Sequence, residues 1–168
     1  MKTFETLSRR VGDALLSRGW RLATAESCTG GGIAAALTDV AGSSQWFERG
    51  FVTYSNEAKQ EMLGVSAETL ASHGAVSEAT VSEMVSGALA HSRAQVAVAV
   101  SGIAGPGGGT SDKPVGTVCL AWRMTGAEPV VRTEHFSGDR AAVRAQTVEC
   151  ALRGVLDVLE TRDEDVKT

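Results

Sequence analysis

Apolar positions along the chain switch between helical and alternating periods. Phe4, Leu7, Val11 and Leu15 recur at helical spacing, so the chain opens with an amphipathic helix, and Gly19 supplies its stop. Arg21–Thr24 reads as a short strand running into Ala25-Glu26-Ser27-Cys28-Thr29-Gly30-Gly31-Gly32, and the apolar Ile33–Leu37 starts a buried helix. Arg49–Ser55 contains Phe51, Val52, Thr53 and Tyr54, a β-rich run. Asn56 is the expected cap of a short helix holding Glu57, Ala58, Lys59, Met62 and Leu63, and another short helix covers Ala67–Ser72. Ser77 caps the next helix, whose apolar face is Val81, Met84, Val85, Ala88 and Leu89. Gln95–Val100 predicts a strand buried on both faces, followed by a glycine-rich loop, Ser101–Pro114.

Val115–Trp122 and Val130–Phe136, joined by Met124–Pro129, predict an antiparallel hairpin. Ser137-Gly138-Asp139-Arg140 opens a last helix with Val148, Leu152, Val155 and Leu159 on its core face; the charged tail Thr161–Thr168 is expected to fray. With no internal repeat or linker, residues 1–168 read as one domain. Helices that alternate with strands, then a closing hairpin, predict an α/β fold: a three-layer α/β/α sandwich around a mixed sheet.

Composition narrows the classes. Hydrophobic residues at 43% and charged residues at 21% are ordinary for a globular chain. A net charge of −4 provides no general basic face for phosphates, which argues against nucleic acid as a partner. Cys28, Cys119 and Cys150 are odd in number, far apart and without a C-x-x-C spacing, which suits a reducing compartment. The charged start, Met1–Arg10, lacks the apolar run of a signal peptide, and no stretch nears the ~20 apolar residues of a membrane span. The expectation is a soluble cytoplasmic protein with no membrane partner.

Several segments carry candidate chemistry. Ser27, Cys28 and Thr29 offer three nucleophiles directly after a strand, where N–H groups of a following turn can stabilise an oxyanion; capping of the next helix by Ser27 or Thr29 fits the same residues. Glu26 is a base, an acceptor for a ligand hydroxyl or the partner of a cation. Tyr54 ends a strand, and Lys59 follows a helical turn later, either as a partly desolvated base or as a solvated helix lysine. Ser101-Gly102-Ile103-Ala104-Gly105-Pro106 lies at the carboxyl end of a buried strand, where α/β sheets bind ligands, although a plain mobile loop fits as well. Arg140 at a helix start suits a phosphate or carboxylate, or the surface. His73, His91 and His135 sit outside these segments, and no metal-ligand spacing occurs, so neither metal nor other cofactor is expected.

In order along the chain, Ala25-Glu26-Ser27-Cys28-Thr29-Gly30-Gly31, Trp46–Asn56 with Lys59, Gly74-Ala75-Val76-Ser77, Ser101–Pro106, Lys113–Val118 and Phe136–Arg140 resemble the CinA C-terminal domain family. The resemblance runs from about Leu7 to Leu159. Stand-alone members of that family are nicotinamide-nucleotide amidases. The resemblance therefore implies hydrolysis of nicotinamide mononucleotide to nicotinate mononucleotide and ammonia, a step of pyridine-nucleotide recycling. It implies a five-stranded, mostly parallel mixed sheet with one strand reversed, Ser27 as nucleophile, Lys59 as its base and Tyr54 close by. The expected substrate contacts are Glu26, Thr29, Gly30, Gly31, Ser101, Gly102, Ala104, Gly105 and Arg140. Two readings compete with this one: a catalytically silent nucleotide-binding module of the same fold, and an amidase acting on another small amide. A homo-oligomer is compatible with all three.

Overall fold

The computed structural model describes residues 4–167, with side chains described up to residue 161. The elements are α1 (Glu5–Arg18), β1 (Leu22–Glu26), α2 (Gly32–Thr38), β2 (Phe47–Val52), α3 (Asn56–Leu63), α4 (Ala67–His73), α5 (Glu78–Ala90), β3 (Val96–Gly102), β4 (Thr117–Met124), β5 (Val130–His135) and α6 (Arg140–Lys167). One five-stranded sheet runs in the order β2-β1-β3-β4-β5. Strand β1 is parallel to both β2 and β3, whereas β4 is antiparallel to β3 and β5, so β4 alone runs against the others. The fold is the expected mixed α/β/α sandwich.

The strands sort their side chains between two cores by simple alternation. Val96, Val98 and Val100 join Val11, Leu15, Leu37, Leu152 and Val155 on the face covered by α1, α2 and α6. Ala97 and Ala99, with Ala23 and Ala25, meet Val81, Met84 and Val85 of α5 on the other face. On the first face Trp122 lies against Gly154, where a Cβ would come within 2.1 Å of the indole. Its Nε1–H donates to the Ala151 carbonyl at 2.9 Å, so the largest core side chain leaves no polar atom unpaired.

Several boundaries differ from the sequence pattern, each for a reason in the hydrogen bonding. Strand β1 extends past Thr24 to Glu26, which pairs with both Val52 and Val100. Strand β2 starts at Phe47 and stops at Val52 rather than spanning Arg49–Ser55, because the chain then turns into α3. Ser55, not Asn56, is the cap of α3, its hydroxyl accepting from Ala58 N–H at 3.0 Å. Ser101 and Gly102 belong to β3, paired with Cys119 and Val118, so the loop begins at Ile103. Gly116, with φ +96°, turns the chain into β4, which therefore starts at Thr117 rather than Val115. The charged tail continues α6 as far as Lys167 instead of fraying; Thr168 lies outside the described residues.

Candidate active site

Parallel β1, β2 and β3 end on one edge of the sheet, and the candidate residues collect there. The ladder continues one residue past β1: Ser27 N–H donates to Val100 O at 3.1 Å, and Thr53 N–H donates to Glu26 O at 2.8 Å. Ser27 is thus fixed between its two neighbouring strands, with 8% of its surface exposed. The chain then coils through Gly30 and Gly31, both at positive φ, a conformation that an L side chain strains to adopt.

Glu26 is held by the backbone of the next helix. It is buried, and its carboxylate accepts from Ile33 N–H at 2.8 Å, from Ala34 N–H at 3.0 Å and from the Thr29 hydroxyl at 2.5 Å. It satisfies the first N–H groups of α2, whose N-cap position, Gly31, has no side chain to do so. Neither Ser27 nor Thr29 caps the helix directly. The Thr29 and Glu26 side chains are both engaged within the protein, the Thr29 hydroxyl with Glu26 and the Glu26 carboxylate with the start of α2.

Lys59 projects from α3 into the same spot with 1% of its surface exposed. Its Nζ lies 2.9 Å from Ser27 Oγ, 2.9 Å from Thr53 O and 3.2 Å from Tyr54 O. Among the described residues it forms no salt bridge. Burial without a carboxylate pushes its pKa down, against a smaller opposing influence of Cys28. Nζ donates to both carbonyls and to Ser27 Oγ, and the Ser27 hydroxyl in turn points to Tyr54 O at 3.5 Å. A serine hydroxyl held against a buried amine that has no counter-charge and a lowered pKa can pass its proton to that amine once the amine is neutral.

The Tyr54 side chain is not part of that contact. Its ring is 60% exposed, and its hydroxyl accepts from Arg140 Nη2 at 3.2 Å; only its carbonyl reaches Lys59. A proton relay through the Tyr54 hydroxyl therefore has no geometric basis in this structure. Arg140 also donates to Gly105 O at 2.8 Å, which joins the glycine-rich loop to the start of α6. Beside it opens a cleft of about 700 Å³ lined by Ala104, Pro106, Val115, Gly138, Arg140 and Arg144, a volume suited to a small molecule. Ala104, Gly105 and Arg140 are thus brought together as expected. Ser101 is buried in β3, and Gly102 is packed so closely on Val118 that a Cβ would come within 2.6 Å of it.

Sequence reasoning missed Arg144. Its Nε donates to Cys28 O and its Nη2 to Thr29 O, each at 3.1 Å, across 116 and 115 residues of chain. The signal was present in the spacing, since Arg144 follows Arg140 by one helical turn and shares its face. It missed the carbonyls of Thr53 and Tyr54 as well, because backbone acceptors carry no residue-type signature.

The pattern of the CinA C-terminal domain matches residues 4–159. The chain is 60% identical over 147 residues to Nicotinamide-nucleotide amidohydrolase PncC of Escherichia coli K12, covering 88% of this chain and 89% of that protein. It is 52% identical to the protein of the same name from Pseudomonas putida, covering 94% and 98%. A CinA-like protein of Syntrophobacter fumaroxidans is 51% identical over 88% of this chain, which there spans 35% of a longer protein. Among solved structures, competence/damage inducible protein CihA from Agrobacterium tumefaciens superposes with a TM-score of 0.89 at 49% identity, covering 94% and 95% of the two chains. On the sequence pattern, the close relatives and the shared architecture together, the chain belongs to the CinA C-terminal domain family.

Proposed function

We propose that this chain is an amidohydrolase that converts nicotinamide mononucleotide and water to nicotinate mononucleotide and ammonia, with Ser27 as nucleophile and Lys59 as general base. The observation that carries the reading is the 2.9 Å contact between Ser27 Oγ and the buried Lys59 Nζ. The names of the relatives supply the substrate. Ser27 Oγ bonds to the carboxamide carbon while its proton passes to Lys59 Nζ. The tetrahedral intermediate collapses with cleavage of the C–N bond, and Lys59 returns the proton to the departing nitrogen, giving ammonia. Water then adds to the acyl ester with its proton going to Lys59, and cleavage of the ester C–O bond restores the Ser27 hydroxyl. The cationic pyridinium ring withdraws electrons from the carboxamide, so a serine of modest strength suffices. Arg140, at the mouth of the cleft, is assigned to the 5′-phosphate. The product keeps its ribose phosphate, which suits recycling of the pyridine nucleotide.

The test is ammonia release from purified protein with nicotinamide mononucleotide, with and without a chelator. Release unaffected by chelator and abolished in folded Ser27→Ala is the expected result. Ligand binding without ammonia would instead identify a silent nucleotide-binding module, and release restored only by an added divalent metal would remove the serine mechanism.

A further inference from the structure

We propose that Arg144 is a positioning residue that sets the peptide between Cys28 and Thr29, so that the Thr29 N–H is presented to the oxyanion formed when Ser27 attacks. The inference rests on the reading of Ser27 as a nucleophile. Within the turn after Ser27, most N–H groups are already engaged. Gly30 N–H donates to Ser27 O, Gly32 N–H to Thr29 O, and those of Ile33 and Ala34 to Glu26. The N–H groups of Thr29 and Gly31 have no acceptor among the described residues. Free donors beside a nucleophile are what a developing oxyanion requires.

Arg144 acts on one of these. In a trans peptide the C=O and N–H point in opposite directions, so a bond that holds the Cys28 carbonyl also aims the Thr29 N–H the other way. The second bond, to Thr29 O, stops the next peptide from rotating. A guanidinium suits two successive carbonyls because its donors are parallel and rigidly spaced, whereas an ammonium is a point donor. Its positive charge also polarises the peptide it holds, which makes the opposed N–H a stronger donor. Within the turn Gly32 N–H also holds the Thr29 carbonyl, but no other bond among the described residues holds the Cys28 carbonyl, and two of the turn's residues are glycines at positive φ. Gly138 and Asp139 place the start of α6 beside the cleft, and Arg144 reaches the turn from the helix's second turn.

The experiment compares wild type, Arg144→Lys and Arg144→Ala, each checked for folding by circular dichroism. Two readouts are used: steady-state kinetics with nicotinamide mononucleotide and with nicotinamide riboside, and the rate at which a fluorophosphonate labels Ser27, followed by mass spectrometry. For Arg144→Ala, loss of one aligned donor predicts a kcat lowered on the order of 10²-fold, with KM within about threefold of wild type. Arg144→Lys, which keeps the charge but one donor, falls between the two. Labelling slows in the same order, and the kcat loss is equal for both substrates. A raised KM with kcat preserved, confined to the phosphorylated substrate, would instead make Arg144 a phosphate contact and overturn the proposal. So would unchanged labelling in folded Arg144→Lys and Arg144→Ala, or no labelling of Ser27 in wild type. Absence of ammonia from wild type removes the substrate reading alone, and the labelling rates then decide this one.

Discussion

Glu26 and Lys59 are two buried ionisable side chains at the same edge of the sheet, each with 1% of its surface exposed, and their surroundings differ completely. Glu26 is met by three donors, two of them the N–H groups that open α2, where the helix dipole favours a negative charge. Lys59 is met by two carbonyls and a hydroxyl, all uncharged. Glu26 is thereby tied to the backbone that opens α2. A buried cation without a counter-charge is held at a penalty that it relieves by losing its proton. The difference separates scaffold from chemistry among residues that look equally reactive in sequence.

The largest expected effect comes from removing the uncompensated member. Lys59→Ala should lower kcat/KM by roughly 10²–10⁴-fold, the range for loss of a general base. Lys59→Met keeps the aliphatic bulk and should lose as much activity while holding or gaining stability, because it also removes the penalty of burying a cation. Chemical denaturation of both variants, run beside the ammonia assay, checks this. A Lys59→Met protein markedly less stable than wild type would place Lys59 with Glu26 as a structural group.

The pH dependence sharpens the same contrast. Burial lowers the Lys59 pKa below the usual lysine value of about 10.4. With Lys59 as the proposed base the neutral amine is the active form, so kcat/KM should rise with pH and level off once the lowered pKa is passed. For stability the sign follows from proton counting. Between the folded and unfolded pKa values the unfolded chain binds more protons, so stability rises with pH across that window. Below the folded pKa the full penalty is present; above the unfolded value it is gone. Lys59→Met should flatten this alkaline rise, seen as Tm against pH. An unchanged slope would mean that Lys59 titrates normally in the folded protein.

The contrast was only half legible in the sequence. Periodicity located the elements, because each helix and strand must bury one face against the sheet. Val81, Met84 and Val85 are one such face, and the alternation of Val96 to Val100 is another. Ends of elements were less legible, since they depend on partners elsewhere: β1 reaches Glu26 because Val52 and Val100 pair with it. Ser27 and Lys59 were found through the motifs, but their roles required a distance across 32 residues of chain. The backbone bonds of Glu26 and the contacts of Arg144 were not legible for a common reason. Each acts on backbone, Glu26 on the N–H groups of α2 and Arg144 on the carbonyls before it, and a sequence lists no backbone partners.

Perturbing the satisfied member should act on stability first. Glu26→Gln replaces one acceptor oxygen by an amide NH2, although Ile33 N–H and Ala34 N–H need one oxygen each. One donor then faces another, at a cost of about 1–3 kcal/mol. The expected outcome is a Tm lower by several degrees. Activity should stay within about tenfold of wild type, less than a catalytic group loses, since Ser27 and Lys59 are held by other elements. A severe kcat loss with unchanged Tm would reverse the assignment and return Glu26 to the reaction.

The smallest effect should come from Cys28, the side chain that intrinsic reactivity would favour over Ser27. It is 5% exposed and sits within the core formed with α1, α2 and α6. Burial pushes its thiol up to about 11, with the Glu26 charge adding to the effect and Arg144 and Lys59 opposing it. At neutral pH only about one molecule in 10⁴ then carries the thiolate, which is the attacking form. Adjacent residues also point in different directions, and it is Ser27, not Cys28, whose side chain meets Lys59. Cys28→Ala should therefore keep activity within about threefold and lose on the order of 1 kcal/mol of stability, the small cavity left by a sulfur. Iodoacetamide at neutral pH should leave the native enzyme active. An active Ser27→Ala beside a folded but inactive Cys28→Ala would exchange the two assignments, and with them the meaning of the neutral amine, which would then serve a thiol it does not touch.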